Sequence, residues 1–308
     1  MKPPSPLHPG SPEARTIANV WWLMFGLAAA VYAIVAGFII VAATRGRRHG
    51  TAREGRSSDE RFIWLGGIVA PVAILGLLAV VTVDSTNDIR RPARGPLRVE
   101  VVGKRWWWTV RYPLQAITTA NEIRIPVGRP VEVRVTSDNV LHSFWVPELG
   151  GKIDLIPGQT NTTTFTARTA GTYRGECAEY CGLQHANMNF VVIAEAPAAF
   201  ERWVVQRSNP PAGPRSELEA RGEAAFVRSS CAGCHTIRGT DAHGILGPDL
   251  TDFGGRSSIG AKTVPNDRGH LEGWIADPQS IKPGALMPPS SLEPDELTAI
   301  VAYLESLK

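Results

Sequence analysis

Cysteine and methionine are scarce in this 308-residue chain, four of each, so each one is informative. All four cysteines fall inside two short motifs, which leaves none over for a structural disulfide. An excess of one charge is also lacking. The 32 basic and 29 acidic side chains leave a formal net charge of +3, too weak and too unevenly spread to mark a nucleic-acid-binding protein. No internal repeat is visible.

Two stretches near the N-terminus, residues 17–43 and 62–83, lack charge altogether. Each is long enough to cross ~30 Å of hydrocarbon as a helix. The charged flanks argue against buried core helices, and Pro71 predicts a kink in the second span. A cleaved secretory leader is the alternative for the first run. Its tail is proline-rich, however, and its apolar stretch is longer than such leaders carry. Between the runs, over residues 44–61, Arg45, Arg47, Arg48, Arg53, Arg56 and Arg61 face three acids. The positive-inside rule makes that loop cytoplasmic. The tail (1–16) and everything beyond the second span (62–84) are then extracytoplasmic, as in a multi-pass protein of a bacterial inner membrane. Neither span contains a histidine, so this chain offers no intramembrane haem or copper ligand of that type.

Within a domain spanning residues 97–206, residues 97 to about 196 read as strands. Val99 and Val101, then Val131, Val133 and Val135, alternate with polar side chains, and turn formers recur about every ten residues, which predicts a small all-β sandwich or barrel. Residues 207–216 form a proline-stiffened linker. Residues 217–228 and 294–307 then show helical periodicity and bracket a haem-sized, all-α domain.

Cys177, Cys181, His185 and Met188 place two thiolates, an imidazole and a thioether in one loop. Soft donors of this kind select copper over hard cations. A disulfide between Cys177 and Cys181 is the alternative, but it would leave His185 and Met188 without a purpose. A further strong donor has to come from elsewhere. His8 and His49 lie outside the domain, and His235, His243 and His270 belong to the C-terminal one, so elimination selects His142.

The second motif, Cys231-Ala-Gly-Cys234-His235, spells a c-type haem attachment site: two thioether bonds and a proximal imidazole. A zinc or redox CxxC is the alternative. Met287 is the one methionine of this domain and the leading sixth ligand, with His243 and His270 as rivals.

Residues 140–147 (Val-Leu-His-Ser-Phe-Trp-Val-Pro), 152–158 and 177–188, behind a hydrophobic helix hairpin, resemble subunit II of the haem–copper cytochrome c oxidases. Gly247, Pro248, Asp249 and Leu250, with Gly222, Phe226 and Tyr303, resemble class I cytochromes c. Together they resemble the caa3-type subunit, in which a cytochrome is fused behind a cupredoxin domain. The resemblance implies a binuclear CuA centre bridged by Cys177 and Cys181. His142 and His185 would be terminal ligands, with Met188 and the Glu179 carbonyl axial. It also implies a Mg²⁺ held by the Glu179 carboxylate together with subunit I, and Trp106 as the point where electrons enter. In the haem domain it has the Pro248 carbonyl orienting His235. The family often carries a glutamate at the cytoplasmic start of the second helix, for which Glu60 is only a weak counterpart.

The activity implied is that of an electron-transfer subunit of a terminal oxidase. Electrons would pass from haem c to CuA and on to subunit I, where O2 is reduced with proton translocation. Subunits I and III and a cytochrome c or bc-complex donor are the implied partners. The haem domain holds 8 basic and 13 acidic side chains against 11 and 10 in residues 97–206, which points to the acidic haem domain as the donor's docking face. Two other readings stand beside this one. A CuA subunit of a nitric oxide reductase would keep the same wire. A membrane-tethered copper chaperone would show a βαβ pattern around its cysteines and no haem motif.

Overall fold

The computed structural model describes residues 4–46 and 56–308. It divides into two units, residues 15–92 and a larger one made of residues 1–14 and 93–308.

The smaller unit is helical. Helix α1 spans Pro12–Gly46 and starts earlier than the apolar run, because Ser11 caps it: its Oγ accepts from the Ala14 amide at 2.9 Å. Helix α2 (Arg56–Trp64) passes through one π-helical turn, Leu65–Val69, into α3 (Ala70–Ile89). That turn lies immediately before Pro71. A proline ring clashes with the carbonyl four residues back, and widening the turn relieves the clash. Residues 12–45 and 60–89 are both long and apolar enough to cross a membrane, and most of their large apolar side chains are exposed. Of the basic loop, Arg47, Arg48 and Arg53 lie outside the described residues.

The larger unit begins with a β-sandwich. Its strands are β1 (Leu97–Lys104), β2 (Trp107–Tyr112), β3 (Ile117–Ala120), β4 (Glu122–Pro126), β5 (Val131–Ser137), β6 (His142–Trp145), β7 (Ile153–Leu155), β8 (Asn161–Phe165), β9 (Gly171–Cys177) and β10 (Asn189–Glu195). They form two five-stranded sheets, ordered β3-β2-β1-β5-β8 and β4-β10-β9-β6-β7. The predicted alternation is realised: Val99, Val101, Val131, Val133 and Val135 are fully buried between the sheets. Parallel pairing of β1 with β5 and of β10 with β4 gives the crossed connectivity of a cupredoxin-like sandwich.

Helix α4 (Pro197–Ser208) was not foreseen from the sequence. It closes the sandwich by burying Phe200 and Trp203 in its core, and it carries the chain two residues into the stretch read as a linker.

Helices α5 (Glu217–Arg228), α6 (Cys231–Cys234), α7 (Arg268–Ala276), α8 (Pro278–Ile281) and α9 (Pro294–Ser306) build the haem-sized domain. Ser216 caps α5 through the Glu219 amide. The first and last of these helices cross at Gly222, where a Cβ would collide with the Ala299 carbonyl. Phe226 and Tyr303 meet edge to face beside this crossing, with ring centroids 6.4 Å apart.

Candidate metal and haem centres

The copper motif occupies the connection between the antiparallel neighbours β9 and β10, where a loop can leave the sheet without breaking its ladder. Cys177 ends β9, and Cys181 follows in the loop. His185 opens a 3₁₀ turn, and Met188 precedes β10. His142 arrives from the neighbouring strand β6, which pairs with β9 at Phe144 and Cys177.

The donor atoms converge. The two Sγ atoms are 3.8 Å apart, far beyond the ~2.05 Å of a disulfide, and both cysteines are free. His142 Nδ1 lies 3.9 Å from Cys177 Sγ, and His185 Nδ1 lies 3.7 Å from Cys181 Sγ. Met188 Sδ is 3.8 Å from Cys181 Sγ, and Cys177 Sγ donates to the Glu179 carbonyl at 3.2 Å. His142 and Met188 are fully buried, while His185 is half-buried. His142 Nε2 is held by Asn139 Oδ1 at 3.1 Å, which leaves Nδ1 aimed at the sulfurs. In this paired couple the Cys177 thiol is held below the ordinary thiol range, chiefly by its hydrogen bond with Cys181, and Cys181 is pushed up. The donor set, its closeness and its burial fit a soft metal such as copper.

The three adjacent tryptophans divide by face. Trp108 is core, packed against His142, Phe144 and Phe190. Trp107 is half-buried, with the Lys104 ammonium over its ring. Trp106 covers the copper loop: its Nε1 donates to the Cys181 carbonyl at 3.0 Å. Gly182 adopts a positive φ of 114° beneath it, where a Cβ would come within 3.2 Å of the indole.

In the haem domain a cavity of about 380 Å³ opens beside Cys231 and Cys234. His235 and Met287 both line it, whereas His243 and His270 do not. His270 is instead turned to Asp267 at 2.7 Å. The Pro248 carbonyl accepts from His235 Nδ1 at 2.8 Å, leaving Nε2 as the free ligand atom. Burial holds this imidazole below the ordinary histidine value, so it stays neutral and able to bind metal, although the proline carbonyl pulls the other way. The apolar cavity, flanked by two thiols and an oriented imidazole, fits a covalent haem.

Sequence reasoning missed what joins the two sites. Arg105, Trp106, Trp107 and Asn121 of the sandwich line the haem cavity too. Thr119 donates to Asp252 at 2.9 Å, and Asp252 also pairs with Arg256 at 2.5 Å. Glu122 accepts from the Ser257 amide and hydroxyl at 2.8 and 2.6 Å. Burial alone would raise the Asp252 carboxyl, but Arg256 and Arg207 outweigh it and hold it below the usual range. No periodicity in the sequence signals these contacts.

Two cysteines at the end of a strand and in the loop after it, facing two histidines and joined to a helical domain with a CxxCH cavity, define a cupredoxin–cytochrome electron-transfer protein. Comparison with known proteins makes the class specific. Residues 111–195 match the model for the periplasmic domain of cytochrome c oxidase subunit II, and residues 219–308 match that for cytochrome c. Cytochrome c oxidase subunit 2 of Alkalihalophilus pseudofirmus is 36% identical over 98% of this chain and 90% of its own length. That of Bacillus sp. (strain PS3) is 32% identical over 78% of this chain and 72% of its own. The crystallised periplasmic domain of oxidase subunit II (CoxB) from Bradyrhizobium japonicum is 32% identical, with a TM-score of 0.36 over 38% of this chain and 94% of that one. The chain belongs to the cytochrome c oxidase subunit 2 family. It is an electron-transfer subunit of a terminal oxidase complex, anchored to a membrane by its apolar helices with its copper domain periplasmic. The two domain matches imply CuA copper and haem c.

Proposed function

We propose that His142, Cys177, Cys181, His185, Met188 and the Glu179 carbonyl hold the copper pair. Cys231, Cys234, His235 and Met287 hold the haem, with Pro248 orienting His235. When bound, these groups supply one-electron redox chemistry. The chain's own residues keep the two seats dry, fixed and adjacent, which lowers the rearrangement that each transfer demands. Trp106 stands where electrons cross from the haem side to the copper loop, because its indole touches that loop and its ring lines the haem cavity. The observation that carries this reading is the convergence of all the copper-side donors on the two cysteine sulfurs.

Subunit I takes the electrons onward and reduces O2 with proton translocation, and subunit III completes the complex. The Glu179 carboxylate shares a Mg²⁺ with subunit I, since one carboxylate cannot make such a site alone. A cytochrome c or bc complex supplies electrons at the acidic haem domain. Both apolar helices cross a bacterial inner membrane, with the termini outside.

The test is gas consumption by the purified complex fed ascorbate and a mediator, with O2 and NO offered separately. O2 uptake that collapses in Cys181→Ser, together with lost copper, supports the reading. NO consumption without O2 uptake, or uptake that survives the substitution, overturns it.

A further inference from the structure

Lys282 is a buried cation at the edge of the haem cavity that belongs to neither donor set. It lies in the segment that leads to Met287, yet only 3% of it is exposed. Its ammonium donates to three carbonyls from three separate segments: Trp106 at 3.0 Å, Asn187 at 2.8 Å and Gly260 at 2.7 Å. Trp106 belongs to the turn over the copper loop, Asn187 immediately precedes Met188, and Gly260 belongs to the haem domain. An ammonium has three protons, and each has an acceptor. One residue further on, the Pro283 carbonyl accepts from Gln184 Nε2 at 2.6 Å. The Asn189 amide reaches the Ala261 carbonyl at 3.3 Å. The haem-ligand segment thus lies directly on the copper loop, and Trp106 is held at both ends, by Lys282 at its carbonyl and by the Cys181 carbonyl at its indole.

We propose that Lys282 is a positioning residue for electron transfer. It pins the copper loop, Trp106 and the haem domain to one another, so the haem domain works as a fixed partner of the copper seat and not as a tethered shuttle. A tether alone gives an effective concentration on the order of mM; a pinned pair does not have to search. Buried carbonyls without a donor are costly, so removing the ammonium loosens all three segments together. The inference deepens the haem-to-copper reading above, but its main readout does not depend on that reading.

The experiment compares the intact complex with Lys282→Met, which keeps the apolar stem, by hydrogen exchange of the segments covering residues 185–191 and 258–264. Both are expected to exchange faster in the variant, by about tenfold, while the visible spectra of copper and haem stay unchanged. Electron transfer between the seats in a single turnover slows by about the same factor. Unchanged exchange in both segments would overturn the proposal, whatever the transfer rate. Altered copper or haem spectra would also overturn it, by making Lys282 a determinant of ligation. If Lys282→Met does not assemble, Gln184→Leu removes the neighbouring bond to Pro283, and exchange over residues 258–264 decides, because the same change also frees Asn187 from Gln184 Oε1 within the other segment.

Discussion

The copper seat and the haem seat lie side by side in one unit, but they are built on opposite plans. The copper seat is held by hydrogen-bonded strands. His142 and Cys177 come from paired neighbours β6 and β9, and the side-chain donor atoms each lie within 4 Å of a partner sulfur. The haem seat is an apolar cavity between short helices, with its two thiols and His235 contiguous in the chain. One is preorganised by the sheet ladder. The other encloses a space that its occupant has to fill. A metal centre that must keep its geometry through a redox cycle benefits from the first plan, whereas a large planar group that itself serves as core suits the second.

The largest expected effect tests that asymmetry directly. Replacing both Cys231 and Cys234 with alanine prevents attachment of the haem and leaves a cavity of about 380 Å³. By the cost of empty apolar volume this is on the order of several kcal/mol, comparable with the whole stability of a small domain. Hydrogen exchange should show helices α5 and α9 opening while strands β1, β5, β9 and β10 stay protected. Equal protection in both halves would break the comparison.

Asp252 comes next, because it joins the halves. Asp252→Asn leaves Arg256 and Arg207 with less negative charge to oppose them, and losing one member of a buried ion pair costs about 3 kcal/mol. The melting temperature of the larger unit should fall accordingly in a calorimetric scan. The same carboxyl sets a pH dependence. Its folded value lies below the unfolded one, so its stabilisation is full above the ordinary carboxylate value of about 4 and is lost as pH falls through the lower folded value. Acid titration of the wild type should loosen the join between the domains in that window, and Asp252→Asn should flatten the response.

A smaller effect sharpens the helical side alone. Ser216→Ala removes the cap of α5 and should cost about 1 kcal/mol, read as faster exchange of the Glu219 amide. The smallest effect belongs to the copper side: stripping the metal with a chelator should leave exchange in β9 and β10 almost unchanged. A large change there would mean that the metal, not the sheet, assembles the seat.

Much of this was legible in the sequence, for identifiable reasons. The candidate copper donors of the loop cluster within a dozen residues, and the scarcity of histidine singles out His142, which the fold brings beside Cys177. The valines of β1 and β5 alternate because one face is buried, and the helical periodicity of residues 217–228 announces α5. The signals failed where packing overrode local pattern. Helix α4 has a weak pattern and is held by Phe200 and Trp203 against the sandwich. The interruption near Pro71 is a π turn on its N-terminal side, settled by where the proline ring has to fit.

The amino-acid sequence by itself determined the two donor sets, the apolar spans and the order of the domains. Short-range spacing and composition carry all of these. Only the tertiary structure decided how the domains meet: Thr119 against Asp252 across 133 residues, and Lys282 against Trp106 across 176. Contacts of that range leave no period in the chain. They arise when two finished surfaces exclude water and every buried charge between them has to find its partner.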